Sequence, residues 1–203
     1  MTDKLYLSNS HPCIMLPSAI EACMAIKSTI FKAELRIADM DRHYYQDHIL
    51  TLARHPSEND ERMMLRLLAF ALNASDAMSF TKGLSTEDEP ELWQKSMSDE
   101  IEVWIDLGQP NEKRIRKACG RAKKVFIYTY NYRSAMPWWE QIRNRLTRFD
   151  NLSVIAIPDE ALQAMGSMAR RTMQLQYTIQ DGEVLLSNGA ESVTIEPEEF
   201  SAV

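Results

Sequence analysis

Two apolar runs of strand length, "KVFIYTYN" (residues 124–131) and "LSVIAIP" (152–158), each stand between stretches of helical period. A strand apolar throughout must be covered on both faces. A chain that alternates strands with helices supplies such covers. The helical stretches are 111–121, where Asn111 is the cap and Ile115, Ala118 and Cys119 form a narrow apolar stripe, then "SAMPWWEQIRNRLTRF" and "DEALQAMGSMA". In the second of these Ser134 is the predicted cap and Pro137 falls in the first turn.

The two ends read differently. "STIFKAELRIAD" and "HYYQDHILTLARH" alternate as strands around a turn at Asp39, Asp41 and Arg42, and "TMQLQYTI" and "VLLS" flank the hairpin turn "QDGE". Between the first hairpin and the alternating middle lies "HPSENDERMMLRLLAFALNAS", the clearest helix, predicted over 57–75 with Ser57 as cap and Asp60 three residues on. Short strands are expected at "MSFTKGLS" and over 99–107. The fold class is therefore α/β (α+β): a mixed central sheet flanked by helices, with β-hairpin additions at both ends.

At 203 residues the chain is long enough for one domain with a sizeable core. We place that domain at 24–203 and read residues 1–23, where Pro12 and Pro17 break a short apolar patch, as an irregular extension. No run approaches the length of a membrane span. Three cysteines, Cys13, Cys23 and Cys119, fit neither a metal site nor a disulfide framework, as expected of a cytoplasmic protein. His43, His48 and His55 lack zinc-ligand spacing.

Charge is the feature that suggests chemistry. The net charge of −6 argues against tight non-specific binding to nucleic acid, yet it is unevenly spread. Between Ser85 and Glu112 nine acids accompany a single base, Lys95, whereas between Lys113 and Arg148 eleven bases accompany a single acid, Glu140. Such blocks are usually solvated faces. The same arrangement also suits metal-assisted chemistry on a phosphodiester, in which acids hold a divalent cation and bases neutralise phosphate. Glu58, Glu61, Leu65, Leu68 and Leu72 share one helix face, so the two glutamates head the stripe that packs on the sheet. The strand within "EVWIDLGQPNEKRIRKA" (102–118) ends on Asp106 beside a basic helix. Trp138 and Trp139 offer a surface for stacking bases or for a protein partner.

This order of elements, a helix with an inward glutamate, a strand, an acidic turn, a strand ending in a carboxylate, a basic helix and another strand, resembles the αβββαβ core of the PD-(D/E)XK nucleases. The segments "LTLARHPSENDERMMLRLLAFAL", "FTKGLSTEDEPELW", "WIDLGQPNEKRIRKAC", "FIYTYN", "WW", "NLSV" and "RTMQLQYTIQDG" together resemble the YaeQ family of bacterial proteins, in unbroken order from about Met24 onward. The resemblance implies a variant restriction-endonuclease-like fold. Carried over residue by residue, it implies Glu61 (or Glu58), Glu89, Asp106 and Lys117 as catalytic groups. It further implies Glu61, Asp88, Glu89 and Asp106 as ligands of Mg²⁺ or Mn²⁺, and Lys113, Arg114, Lys117 and Arg121 as phosphate-binding groups. The sequence departs from the pattern where Gly108 stands two residues beyond Asp106 in place of lysine, so the cation has to come from the next helix. Two expectations follow. One is a metal-dependent nuclease or phosphodiesterase. The other is a non-catalytic binding or regulatory protein with a nucleic-acid or protein partner, in which Lys117 and Arg114 pair with Asp106 and Glu61.

Overall fold

The computed structural model describes residues 28–81 and 88–200, so the expected N-terminal extension, Cys13 and Cys23 lie outside the described residues. The first strand, β1 (Thr29–Asp39), buries Phe31, Ala33, Leu35 and Ile37 and turns Lys32, Glu34 and Arg36 outward. It pairs along its whole length with β2 (Tyr44–Arg54). The buried Asp39 carboxylate fixes the turn, accepting from the backbone N–H of Arg42 at 2.9 Å and from its Nε at 2.6 Å. On its other edge β1 pairs in parallel with β8 (Thr172–Gln180). A turn through Asp181 and Gly182, both at positive φ, returns β8 as β9 (Glu183–Ser187), followed by β10 (Ser192–Ile195). The two terminal hairpins thus pair with each other. They build a five-stranded sheet of their own, ordered β10-β9-β8-β1-β2.

The second sheet is ordered β11-β7-β6-β5-β4-β3. Its parallel centre is β5 (Ile101–Leu107), β6 (Ala122–Thr129) and β7 (Leu152–Ala156). Antiparallel β3 (Met78–Phe80), β4 (Leu92–Lys95) and β11 (Glu198–Glu199) complete the edges. β4 has no counterpart in the sequence reading, because its four residues follow directly on the acidic turn.

Helices fill the layers between and outside the sheets. α1 (Asp60–Leu72) and α4 (Asp159–Ser167) lie side by side between the two sheets, in one core with β1, β5, β6 and β8. α2 (Glu112–Cys119) and α3 (Tyr132–Leu146) cover the outer face of the second sheet through Ile115, Trp139, Ile142 and Leu146. No helix among the described residues is long and apolar enough to cross a membrane.

α1 is shorter than its sequence pattern. Its cap is Asn59, not Ser57: Asn59 Oδ1 accepts from the N–H of Arg62 at 2.9 Å. Ser57 and His55 instead hydrogen-bond each other in a tight turn, and the N–H of Glu58 donates to the carbonyl of His55. Glu58 consequently precedes the helix. Every residue from Met63 to Ala71 is buried, Arg66 included, because a helix between two sheets has no solvent face. Leu65 and Leu68 are fully buried and Leu72 partly so. α1 and α4 approach closely at Gly166, where a Cβ would come within 2.8 Å of Glu61 Cγ. In α3 the cap position is Asn131 in a left-handed conformation, so Ser134 and Pro137 lie inside the helix.

Candidate functional site: carboxylates on both faces of a sheet

β5 determines where the acids of the site go. From Val103 onward its side chains alternate. Val103, Ile105 and Leu107 face the α1 layer, whereas Trp104 packs against Ala118 of α2. Asp106 shares the side of Trp104, so its carboxylate points toward α2 and away from α1. There it is 3% exposed and gripped at both oxygens by Arg114, Nε to Oδ2 at 2.8 Å and Nη2 to Oδ1 at 2.7 Å. This two-pronged geometry is the strongest a guanidinium makes with a carboxylate. The second N–H of Arg114 Nη2 also reaches the backbone carbonyl of Glu89 at 2.8 Å.

α2 holds the rest of the acidic turn too. Lys117 Nζ pairs with the exposed carboxylate of Asp88, and that hydrogen bond, with the ammonium charge behind it, lowers the Asp88 pKa. Arg121 Nη1 donates to the Asp88 carbonyl at 3.1 Å and its guanidinium lies over the Trp104 ring. Three of the four bases expected to bind phosphate, Arg114, Lys117 and Arg121, therefore contact the protein's own acidic turn. Lys113 is exposed.

The α1 side carries a different cluster. Glu58, 4% exposed, accepts from Arg62 Nη1 at 2.9 Å and from Arg66 Nη1 at 3.1 Å. Glu91, immediately before β4, accepts from Arg62 Nη2 and lies 3.8 Å from Arg66 Nε. Burial works against the Arg62 charge, but Glu91 and then Glu58 outweigh it, and its pKa is raised. Arg66 Nε and Glu91 Oε2 have no hydrogen-bond partner among the described residues. The four side chains form a buried ring of two acids and two arginines.

The structure thus divides the set expected at one end of one sheet. Asp106, Asp88, Glu89 and Lys117 lie with α2. Glu61, by contrast, faces α4 across Gly166, with Asn59 Nδ2 at 3.4 Å from Oε2. The inward acid of this region is Glu58, and the acid that meets it is Glu91; both were visible in the sequence, Glu91 as the partner of Pro90 in "EPE". At the β5 positions on the α1 side, Ile105 and Leu107 are apolar. Among the described residues no group of three or more His, Cys, Asp or Glu is arranged to hold a metal ion. The donor set does not fit a Mg²⁺ or Mn²⁺ centre of the expected composition, since that centre requires several carboxylates around one point.

Other candidates also resolve. Trp139 is buried and Trp138 half-buried, its Nε1–H bonded to the carbonyl of Pro110 at 3.0 Å, so the pair packs α3 and is no open stacking platform. Cys119 is a free thiol whose pKa burial pushes up to about 11, which makes it a poor nucleophile at neutral pH. Outward, α2 and α3 present Lys113, Arg116, Arg133 and Arg145, with Arg148 just beyond. Arg116 and Arg145 converge on Glu112, at 2.5 and 2.9 Å, and those hydrogen bonds hold its carboxyl below the usual range.

A two-sheet α/β fold with one ion ring inside and a carboxylate–arginine clamp outside defines the class. The family model "YaeQ protein" matches residues 24–197, and the chain belongs to that family. It is 48% identical over 172 residues to the "Uncharacterized protein YaeQ" of Escherichia coli (strain K12), covering 85% of this chain and 95% of that one. Against the Salmonella typhi relative of the same name the identity is 49% over 173 residues, covering 85% and 96%. The crystal structure of the YaeQ protein from Xanthomonas axonopodis pv. citri is similar with a TM-score of 0.83 at 46% identity, covering 85% of this chain and 97% of that chain. That from Pseudomonas syringae gives 0.82 at 31%, covering 86% and 96%.

Proposed function

We propose that this chain is a non-catalytic binding protein of the bacterial cytoplasm that keeps a nuclease-like, PD-(D/E)XK-derived core and takes the backbone of nucleic acid on its α2–α3 face. The observation that carries the reading is the separation of the acids: Asp106 on one face of the sheet, Glu58 and Glu91 on the other, each held by arginine. A cleavage site would need them around one cation with a lysine alongside. Residues 112–148 meanwhile contain eleven bases and two acids. Seven of those bases are on α2 and α3, and of the outward ones Lys113, Arg133 and the adjoining Arg148 have no acidic partner among the described residues. That surplus is the electrostatic footprint of a phosphate chain, and it favours nucleic acid over a neutral protein surface.

Binding to DNA or RNA is expected without divalent cation, falling steeply with salt at a log–log slope of about 0.9 per phosphate neutralised. A triple variant, Lys113→Glu, Arg133→Glu and Arg148→Glu, is expected to weaken it by about tenfold or more, as measured by fluorescence anisotropy at low salt, since each reversal removes a phosphate contact and adds a repulsion. Absence of binding at low salt would end this reading. Cleavage in Mg²⁺ or Mn²⁺ that Asp106→Asn abolishes would restore the nuclease.

Asp106→Asn gives a second, independent result. If the carboxylate serves only to hold Arg114, the substitution strips a buried charge-assisted pair. Chemical denaturation in metal-free buffer is then expected to show a loss of about 1.5–3 kcal/mol, the range for hydrogen bonds to charged groups. A crowded metal site without its metal would instead be relieved and stabilised.

A further inference from the structure

At the far end of α1 from the ion ring, the inner face of the second sheet is left open. The helix stops at Leu72, and beyond it lies a cleft of about 490 Å³, within the size range of small-molecule sites. Leu72, Val103, Phe126 and Ile155 form its walls, and each is only partly buried. The polar groups on this apolar surface are few and directional. Tyr128, 2% exposed, lines the cleft, and its hydroxyl accepts from Asn73 Nδ2 at 2.7 Å. The hydroxyl proton of Tyr128 has no acceptor among the described residues. Burial pushes that hydroxyl up to about pKa 12, so at neutral pH it stays a donor. Lys124, four residues before Tyr128 on the same face of β6 with Phe126 between them, is exposed on the lining and has no acidic partner among the described residues. Arg42 stands on the opposite side, with its Nε committed to Asp39. Glu199 is the one carboxylate of the lining.

We infer that this cleft is a binding site for a small carboxylate with an aromatic or branched apolar body, an assignment that does not depend on the nucleic-acid reading. The body fills the space between Leu72, Val103, Phe126 and Ile155. The carboxylate accepts the unspent O–H of Tyr128 and meets the ammonium of Lys124. A buried donor without an acceptor costs stability until something accepts from it. An anionic acceptor with an apolar body satisfies Tyr128, Lys124 and the exposed walls together. A neutral apolar compound would satisfy only the walls.

The test uses the full chain and four probes: phenylacetate, indole-3-acetate and the two corresponding amides, followed by saturation-transfer NMR and calorimetry. Both carboxylates are expected to bind with sub-millimolar Kd and the amides about tenfold or more weakly, because an amide loses the charge-assisted part of the contact. Lys124→Gln, a substitution at the rim that leaves the core intact, is expected to bring carboxylate affinity down to that of the amide. Tyr128→Phe should weaken the carboxylates further, and Val103→Trp, which fills the cleft, should abolish binding of all four. Equal affinity for acid and amide, unchanged affinity in Lys124→Gln, or no binding at several millimolar would each overturn the proposal. So would a solution dimer that Phe126→Arg dissociates, since the cleft would then be covered by a second copy.

Discussion

Glu58→Ala is expected to cost the fold about 3–5 kcal/mol in urea unfolding, the range found when one partner of a buried ion pair is removed. Glu58 is the shared acceptor for two guanidiniums that have almost no access to water. Without it, Arg62 and Arg66 must share Glu91 alone, and two positive charges face one negative charge in the interior. Neither can escape by losing its proton, because a guanidinium stays charged at any accessible pH. The exposed pair of Asp88 and Lys117 is the natural control: Asp88→Ala should leave the midpoint in place, as solvent screens that contact. A Glu58→Ala midpoint equal to wild type would show that water hydrates the ring and that the four charges are not held as a unit.

Leu68→Ala is expected to cost about 2–5 kcal/mol, the range for core leucines. Leu68 is fully buried in the middle of a helix that has a sheet on each side. Where a helix packs on one surface, neighbours can relax toward the hole from the solvent side. Here both walls are hydrogen-bonded sheets that move little, so the cavity persists and the cost belongs to the upper part of that range. A loss under about 1 kcal/mol would mean that the layer closes up around alanine and is less rigid than two flanking sheets imply.

Much of this architecture was legible in the residues. The strands β1, β2 and β5 to β9 and all four helices follow from alternation and apolar runs, with the expected cap found only at Asn111, and Asp-Gly at 181–182 marks its hairpin. Pairing was not legible. Nothing local in "TIFKAELRIAD" says that its second edge belongs to β8, because parallel partners leave no turn between them in the sequence. The candidate site failed for a related reason. Asp106 and Glu61 each fall on the expected elements, and alternation with Val103, Ile105 and Leu107 already puts Asp106 on the other face of β5; what no local pattern says is that α1 covers the apolar face and α2 the other. Ile105 was covered, so Asp106 turned the other way. An Arg114–Asp106 pair is among the expected contacts and is the one found, whereas Glu61, expected in the same network, packs on α4. The expected cap at Ser57 puts Glu58 in the first turn with Glu61 favoured as the inward acid, whereas the cap falls two residues later, at Asn59, and leaves Glu58 free to turn inward.

The parallel pairing of β1 with β8 joins residues about 140 positions apart, which bears on how the chain is made. During synthesis, at roughly 5–20 residues per second, β1, β2 and α1 leave the ribosome long before β8, β9 and β10 exist. The apolar run from Met63 to Ala71 then has only half of its final surroundings, and its buried arginines wait for Glu91. High contact order of this kind slows folding, and an exposed apolar helix recruits aggregation partners in the interval. β8, β9 and β10, translated near the end, close the first sheet over α1, so the burial of that helix is completed only once they arrive.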